Sequence, residues 1–277
     1  MATGGEGDGA QWLLLGPEQW AQWEQSNLLD GKERLLRWDA EPPDEEVRSL
    51  RVVTANGDPT TFPPMLTQLA GLTRLELPRG CVRRLAPGDL PGSLEALRLT
   101  GPGTVTWPSE VVLDGVRRLE SIGGDLVTTA ECFPAVVALT LRLDSKGDAV
   151  RLVGEYPGLE ELGAANVDTD ELIEVAPEGL QVLALSGGRL ASLSAVARLS
   201  QLSRLVVNNC AALTSLDGVQ HLTNLEGMVV AYCDGLTDLA LLADLPALRT
   251  LRVTGCRGLD RAELSALFGG IDLYVVG

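Results

Sequence analysis

Aromatic side chains are scarce, with Phe, Trp and Tyr together making 4% of the 277 residues. Histidine occurs once, at His221, so no histidine-based metal site can be assembled. Basic residues are also short: 22 Lys and Arg stand against 38 Asp and Glu, a net charge of −16. That balance argues against nucleic acid and against an anionic membrane surface as partners. Five cysteines, an odd number without a close C-x-x-C pair, fit a reducing compartment better than a disulfide framework. No N-x-S/T acceptor is present. No run approaches the roughly 18–20 apolar residues of a membrane span. The triplet Leu13–Leu15 is too short for the apolar region of a secretory signal, and no basic segment precedes it. A soluble cytoplasmic protein is expected.

Catalytic signatures are missing as well. There is no G-x-S-x-G, and Ser186-Gly-Gly does not make a nucleophile elbow. The phosphate-loop pattern is absent, and no strand is expected after the glycines from Gly4 to Gly9. Asp144-Ser-Lys-Gly-Asp148 resembles a calcium loop but lacks the acidic third position and the closing Glu. His221 falls in a return segment and reads as a surface or packing residue. Neither enzyme activity, cofactor nor metal is expected.

What is abundant is leucine: 51 residues, about 18% of the chain, within 45% apolar and 22% charged residues. This balance excludes a disordered chain. A core built from one kind of aliphatic side chain suits repetition. The repetition is explicit: Leu202-Ser-Arg-Leu205-Val-Val207-Asn-Asn-Cys210, then Leu225-Glu-Gly-Met228-Val-Val230-Ala-Tyr-Cys233, then Leu248-Arg-Thr-Leu251-Arg-Val253-Thr-Gly-Cys256, each 23 residues on from the last. The same frame begins at Leu180, Leu159, Val136, Val116, Leu94, Leu72 and, weakly, Val47. Ten turns thus cover residues 47 to about 270. The turn beginning at Val116 places Ser121 where an inward aliphatic belongs, so the middle of the array is expected to be its least regular part.

The pattern L-x-x-L-x-L-x-x-C resembles the leucine-rich repeat family, in its short-turn bacterial cytoplasmic form. The resemblance implies an α/β solenoid, a horseshoe with one parallel sheet on the concave face and short helical, 3₁₀ or irregular returns on the convex face. No single turn can bury its apolar face alone, so stacked neighbours share one core. Cys210, Cys233 and Cys256 would stack on successive turns about 5 Å apart, as a ladder of small buried side chains. In the family this position is commonly Asn or Cys in that structural role.

The array is expected over residues 47–277, behind a disordered tail over 1–10 and an N-terminal helical cap with its linker over 11–46. Pro17 opens a helix through Trp20, Trp23 and Leu28, and its rings plug the first turn. The terminal stretch Ile271-Asp-Leu-Tyr-Val-Val-Gly277 reads as a last strand. Spacing points Ile271, Tyr274 and Val276 inward, and a one-step alternative uses Ile271, Leu273 and Val275. An apolar strand at an open edge could dock a second copy or a partner through residues 271–276.

Positions 3, 5 and 7 of each turn face solvent on the sheet, the surface such repeats generally use for binding. The candidate partner-binding residues are Arg51, Arg74, Glu76, Arg98, Arg118, Glu120, Arg142, Val182, Ala184, Arg204, Val206, Val229 and Arg252. Of thirty such positions seven are Arg and three Glu, a net of +4 in a chain of −16. An Arg-rich first half gives way to small and apolar residues from Gly163 to Ala231. The sequence Arg51, Glu76, Arg98, Glu120 along one column also fits a purely intramolecular charge ladder. The expected function is a non-catalytic scaffold that binds a protein partner through the concave face. Alternatives are an acidic inhibitor or immunity-type protein clamping a basic enzyme, and an accessory subunit docked through the C-terminal edge.

Overall fold

The computed structural model describes residues 12–15, 34–37, 52–56, 62, 64–142 and 146–276. The chain forms two compact units, Met1–Ala135 and Val136–Gly277. The first contains β1 (Trp12–Leu15), β2 (Arg34–Arg37), β3 (Val52–Asn56), β4 (Arg74–Pro78), β5 (Ala96–Thr100), β6 (Val105–Thr106), β7 (Arg118–Ser121) and β8 (Leu126–Val127). The second contains β9 (Ala138–Arg142), β10 (Glu161–Ala165), β11 (Val182–Ser186), β12 (Arg204–Asn208), β13 (Gly227–Ala231), β14 (Thr250–Thr254) and β15 (Asp272–Val276). Its helices are α1 (Lys146–Gly154), α2 (Glu171–Val175) and α3 (Arg261–Leu267).

In the second unit every strand pairs in parallel with the next in chain order. The register aligns two inward columns. One runs Leu139, Leu162, Leu183, Leu205, Met228, Leu251, Leu273; the other runs Leu141, Ala164, Leu185, Val207, Val230, Val253, Val275. Because strand side chains alternate with period 2, the two columns share one face. Burial of each leucine contributes about 1.5–3 kcal/mol, which explains why the motif recurs on every turn. The returns close the core from behind: Leu213, Leu216, Val219 and Leu222 are all buried. Asp260 caps α3, accepting from the Ala262 and Glu263 amides at 2.8 and 2.9 Å. The helix then buries Leu264 and Phe268.

Beyond the last full turn, β15 pairs with β14, Leu273 beside Leu251 and Val275 beside Val253. The one-step alternative is therefore the correct one. Tyr274 and Val276 are exposed and Leu273 and Val275 half-buried, so Tyr274 belongs to the solvent face.

In the first unit the sheet order is β2-β1-β3-β4-β5-β7, all parallel. Strands β1 and β2 fall inside the segment expected to form a helical cap. The helix expected over Trp20, Trp23 and Leu28 lies outside the described residues, as does the tail over 1–10. Pairing of Val52 with Arg74 and Val53 with Leu75 moves the first turn's frame three residues on from Val47. In that register Val52 and Thr54 stand beside Arg74 and Glu76, where the expected frame has Ser49 and Arg51. The weak match at Val47 had no second leucine pair to fix it. Arg51 itself lies outside the described residues.

The irregular middle has a specific cause. Ser121 pairs with Leu99 in the inner column and is fully buried, yet no aliphatic takes its place. Instead the Arg79 side chain, 4% exposed, enters from an earlier turn. Its Nη2 donates to Ser121 Oγ at 2.9 Å and to Gly124 O at 2.8 Å. Nη1 reaches Asp125 O at 2.5 Å, and Nε reaches Gly101 O at 3.1 Å. Ser121 Oγ in turn donates to Gly124 O at 2.7 Å. Burial lowers the Arg79 guanidinium from its ordinary value, while the nearby Asp125 carboxylate opposes that shift. The neighbouring returns pair as the small β6–β8 sheet, and Trp107 packs against Phe133 with centroids 4.7 Å apart and ring planes tilted by 54°.

Candidate functional site

One residue past each strand from β10 to β14, the backbone turns left-handed. In the second unit Asn166, Gly187, Asn209, Tyr232 and Gly255 all have φ between 53° and 67°. Asn and Gly tolerate this region, and the turn directs the following residue back under the sheet. On the last three turns that residue is a cysteine. Cys210 Sγ lies 3.5 Å from Gly187 O and Asn208 O, Cys233 Sγ 3.3 Å from Ala231 O, and Cys256 Sγ 3.5 Å from Thr254 O. All five cysteines are free and buried. The hydrogen bond with Cys210 and then burial push the Cys233 thiol up, and the same bond draws Cys210 down. Burial raises Cys256. The ladder ties turns together and presents no thiol to solvent.

The solvent faces of the two units differ in how their charges are used. In the first, register places Glu76, Arg98 and Glu120 side by side on β4, β5 and β7. Arg98 Nε donates to Glu120 at 2.6 Å, and its Nη1 lies 3.8 Å from Glu76. The bond to Glu120 raises the Arg98 guanidinium above its ordinary value. This is the cross-strand charge ladder that the column alternation suggests. Arg74 and Arg118 share the neighbouring column with Ala96 between them.

In the second unit the candidates assemble into adjoining columns. The first runs Glu161, Val182, Arg204, Gly227, Thr250, Asp272, and the middle one Gly163, Ala184, Val206, Val229, Arg252, Tyr274. Arg142 begins a third column that continues through Ala165 and Ser186. Arg204 stands between Val182 and Gly227, with no carboxylate opposite on either strand. Arg252 stands between Val229 and Tyr274, its guanidinium 5.9 Å from the ring centroid. Among the described residues neither Arg204 nor Arg252 has an ion pair. A groove of about 610 Å³ opens here, with Arg204, Arg249 and Arg252 on its walls and Val206 and Val229 in its floor.

Sequence reasoning did not single out Arg249, Glu226 or Asp272, which also line the groove. Arg249 and Glu226 occupy the second position of their turns, just before the strand, where a strict period-2 reading assigns no face. The Asp272 and Tyr274 placements follow from the corrected register of β15.

No protein-family model and no curated protein matches the chain. Among solved structures, TLR13 in complex with ssRNA13 aligns with a TM-score of 0.57 at 14% identity, over 87% of this chain and 41% of that chain. The chain therefore spans less than half the length of that structure. The fold is that of a leucine-rich repeat protein. Two internalins from Listeria monocytogenes str. 4b F2365 also align. Internalin C2 has a TM-score of 0.36 at 18% identity, over 78% of this chain and 75% of that chain. InlF has a TM-score of 0.47 at 14% identity, over 87% and 78%. In leucine-rich repeat terms, the inward columns are positions 4 and 6 of the motif and the thiols position 9. Among the described residues no helix is long and apolar enough to cross a membrane.

Proposed function

We propose that this leucine-rich repeat chain is a non-catalytic scaffold that binds a protein partner through the solvent face of its second unit. The observation that carries the reading is the contrast between Arg98 and Arg204. Arg98 is flanked by two carboxylates of its own chain and is spent on them. Arg204 and Arg252 have none beside them and border half-exposed Val206 and Val229. Charged groups next to an apolar floor are the elements of a polar-rimmed contact. The reading places the protein in a reducing compartment such as the cytoplasm, in keeping with five free buried thiols.

Affinity capture with Arg204→Glu and Arg252→Glu, beside Arg98→Glu as control, tests this. Loss of one specific protein in the first two variants alone supports the reading. Equal recovery from all three places the contact elsewhere. A second reading is association through β15, where Tyr274 and Val276 are exposed. Light scattering that reports a monomer at high concentration removes it.

A further inference from the structure

We propose that the groove over β13 takes an acidic peptide segment of a partner protein, gripping an isolated side-chain carboxylate between Arg204 on one side and Arg249 and Arg252 on the other. The inference rests on the reading of this face as a protein-binding surface and specifies what it binds.

Gly227 is the first argument. It lies at the first outward position of β13, between Arg204 and Thr250. Glycine in a strand interior costs stability and marks places where another backbone approaches. Gly147, Gly158, Gly179 and Gly270 also border open space but lie in a helix or in turns, whereas Gly163, the other strand glycine of this unit, has a local reason. A Cβ on Gly163 would lie 2.9 Å from Thr140 Oγ1, and Gly188 and Gly218 have positive φ. At Gly227 a Cβ would meet nothing within 4 Å, and its φ is not positive. Neither strain nor crowding accounts for it. The missing side chain leaves a gap in the middle of the groove.

Charge supplies the second argument. Strands β12 and β14 flank β13, so the backbones carrying Arg204 and Arg252 stand about 10 Å apart across the gap. Two long guanidinium arms can then converge on one carboxylate, each offering a planar fork of donors. Among the described residues these arginines have no carboxylate of their own, and Tyr274 supports Arg252 from beneath. The apolar floor lowers the local dielectric and strengthens such a pairing.

The other lining charges narrow the occupant. Glu226 and Asp272 also edge the groove, so its three arginines face two carboxylates. A polyphosphate strand would set successive negative charges against those acids. A peptide with a single acidic side chain among neutral residues avoids that repulsion, and its amide N–H groups can donate to Glu226 and Asp272. The observations therefore favour peptide over nucleic acid.

The test is an NMR titration of the full chain with acetyl-Val-Glu-Val-amide and acetyl-Val-Gln-Val-amide, reading the Gly227 amide and the arginine Nε–H signals. A single-stranded RNA oligonucleotide is titrated in parallel. The expected result is saturable shifts with the Glu probe in the millimolar range and at least tenfold weaker binding of the Gln probe. Gly227→Val should fill the gap and abolish the shifts at the remaining reporters, as should Arg204→Gln, while Arg98→Gln leaves them unchanged. Circular dichroism checks that each variant is folded. Equal response to both probes, no saturable shift up to about 10 mM, shifts that survive Gly227→Val, or tighter binding of the RNA at these signals would each overturn the inference. If a captured partner is lost in Gly227→Val while both probes bind equally, the face is a binding surface without carboxylate recognition. If capture ignores every variant of this face, the broader reading fails as well.

Discussion

Replacing Arg79 with Met removes a buried cation while keeping most of its aliphatic stem, and its cost can be worked from the acceptors left behind. The guanidinium serves the carbonyls of Gly101, Ile122, Gly124 and Asp125 and the hydroxyl of Ser121. Two of the carbonyls keep another donor: Gly124 O retains Ser121 Oγ at 2.7 Å, and Asp125 O retains the Val105 amide at 3.1 Å. Breaking a buried charged network costs about 3–5 kcal/mol. The surviving donors place this case near the lower end, at about 3 kcal/mol. At about 1.4 kcal/mol per factor of ten, local opening becomes roughly a hundred times more frequent. Hydrogen exchange of the Ile122 and Asp125 amides, which bond Leu99 O and Gly103 O, reads that directly. Ser121→Leu added to Arg79→Met should recover part of the loss, since it restores an aliphatic beside Leu99 with no guanidinium to clash with. Ser121→Leu alone should destabilise, because it takes away an Nη2 partner. Acceleration of less than about threefold in Arg79→Met would refute the claim that this arginine holds the loops together.

Two further perturbations address the backbone turn and the thiol ladder. Gly188→Ala introduces a methyl at φ +83° that would sit on the Val167 carbonyl, and should cost at least about 1–3 kcal/mol in urea unfolding. Cys233 and Cys256 are raised in the folded state, so the folded chain holds protons that an unfolded thiol releases above about pH 8.5. Their contribution is full below that pH and is lost above it, at up to about 1.4 kcal/mol per pH unit for each thiol. Cys210, shifted down, acts in the opposite sense. Urea midpoints should fall between about pH 7.5 and 9.5, and Cys256→Ala should reduce the fall.

The legible part of this protein is what period and spacing encode. The frame at Leu72 and at each later start agrees with strands beginning two residues on, because every turn but the one at Val116 carries two inward aliphatics that a one-residue slip would expose. At Val47 only one weak match was available, and the frame slipped by three. Strands β1 and β2 were hidden because four residues each, without a repeated partner, show no period. Arg79 was illegible for a different reason. A buried arginine is read from its acceptors, and those come from two segments 22 to 46 residues away, around Gly101 and over Ser121–Asp125. Ser121 was the visible trace of it: a polar residue at an inward position signals that something polar must arrive. The arginine-rich first half drew attention by composition. Its pairings, however, follow from which strand lies beside which, so a count of arginines overstated its availability and understated that of Arg204.

Gly227 turns the same distinction into a measurement of stability. If the gap over β13 is kept for a partner, the strand gives up stability to keep it. A side chain there should then be favourable in the free protein. Gly227→Val meets no atom within 4 Å at its Cβ and does not require a left-handed backbone. It replaces a residue that costs a strand about 0.5–1 kcal/mol with one of high strand propensity. The new methyls would extend the half-exposed surface of Val206 and Val229 on the adjoining column. The expected outcome is a gain of about 0.5–1 kcal/mol in urea unfolding, together with loss of carboxylate binding. Stability and binding moving in opposite directions is the signature of a position held open for function. A variant less stable than the parent would instead make Gly227 a structural glycine, and the space above it would lose its meaning.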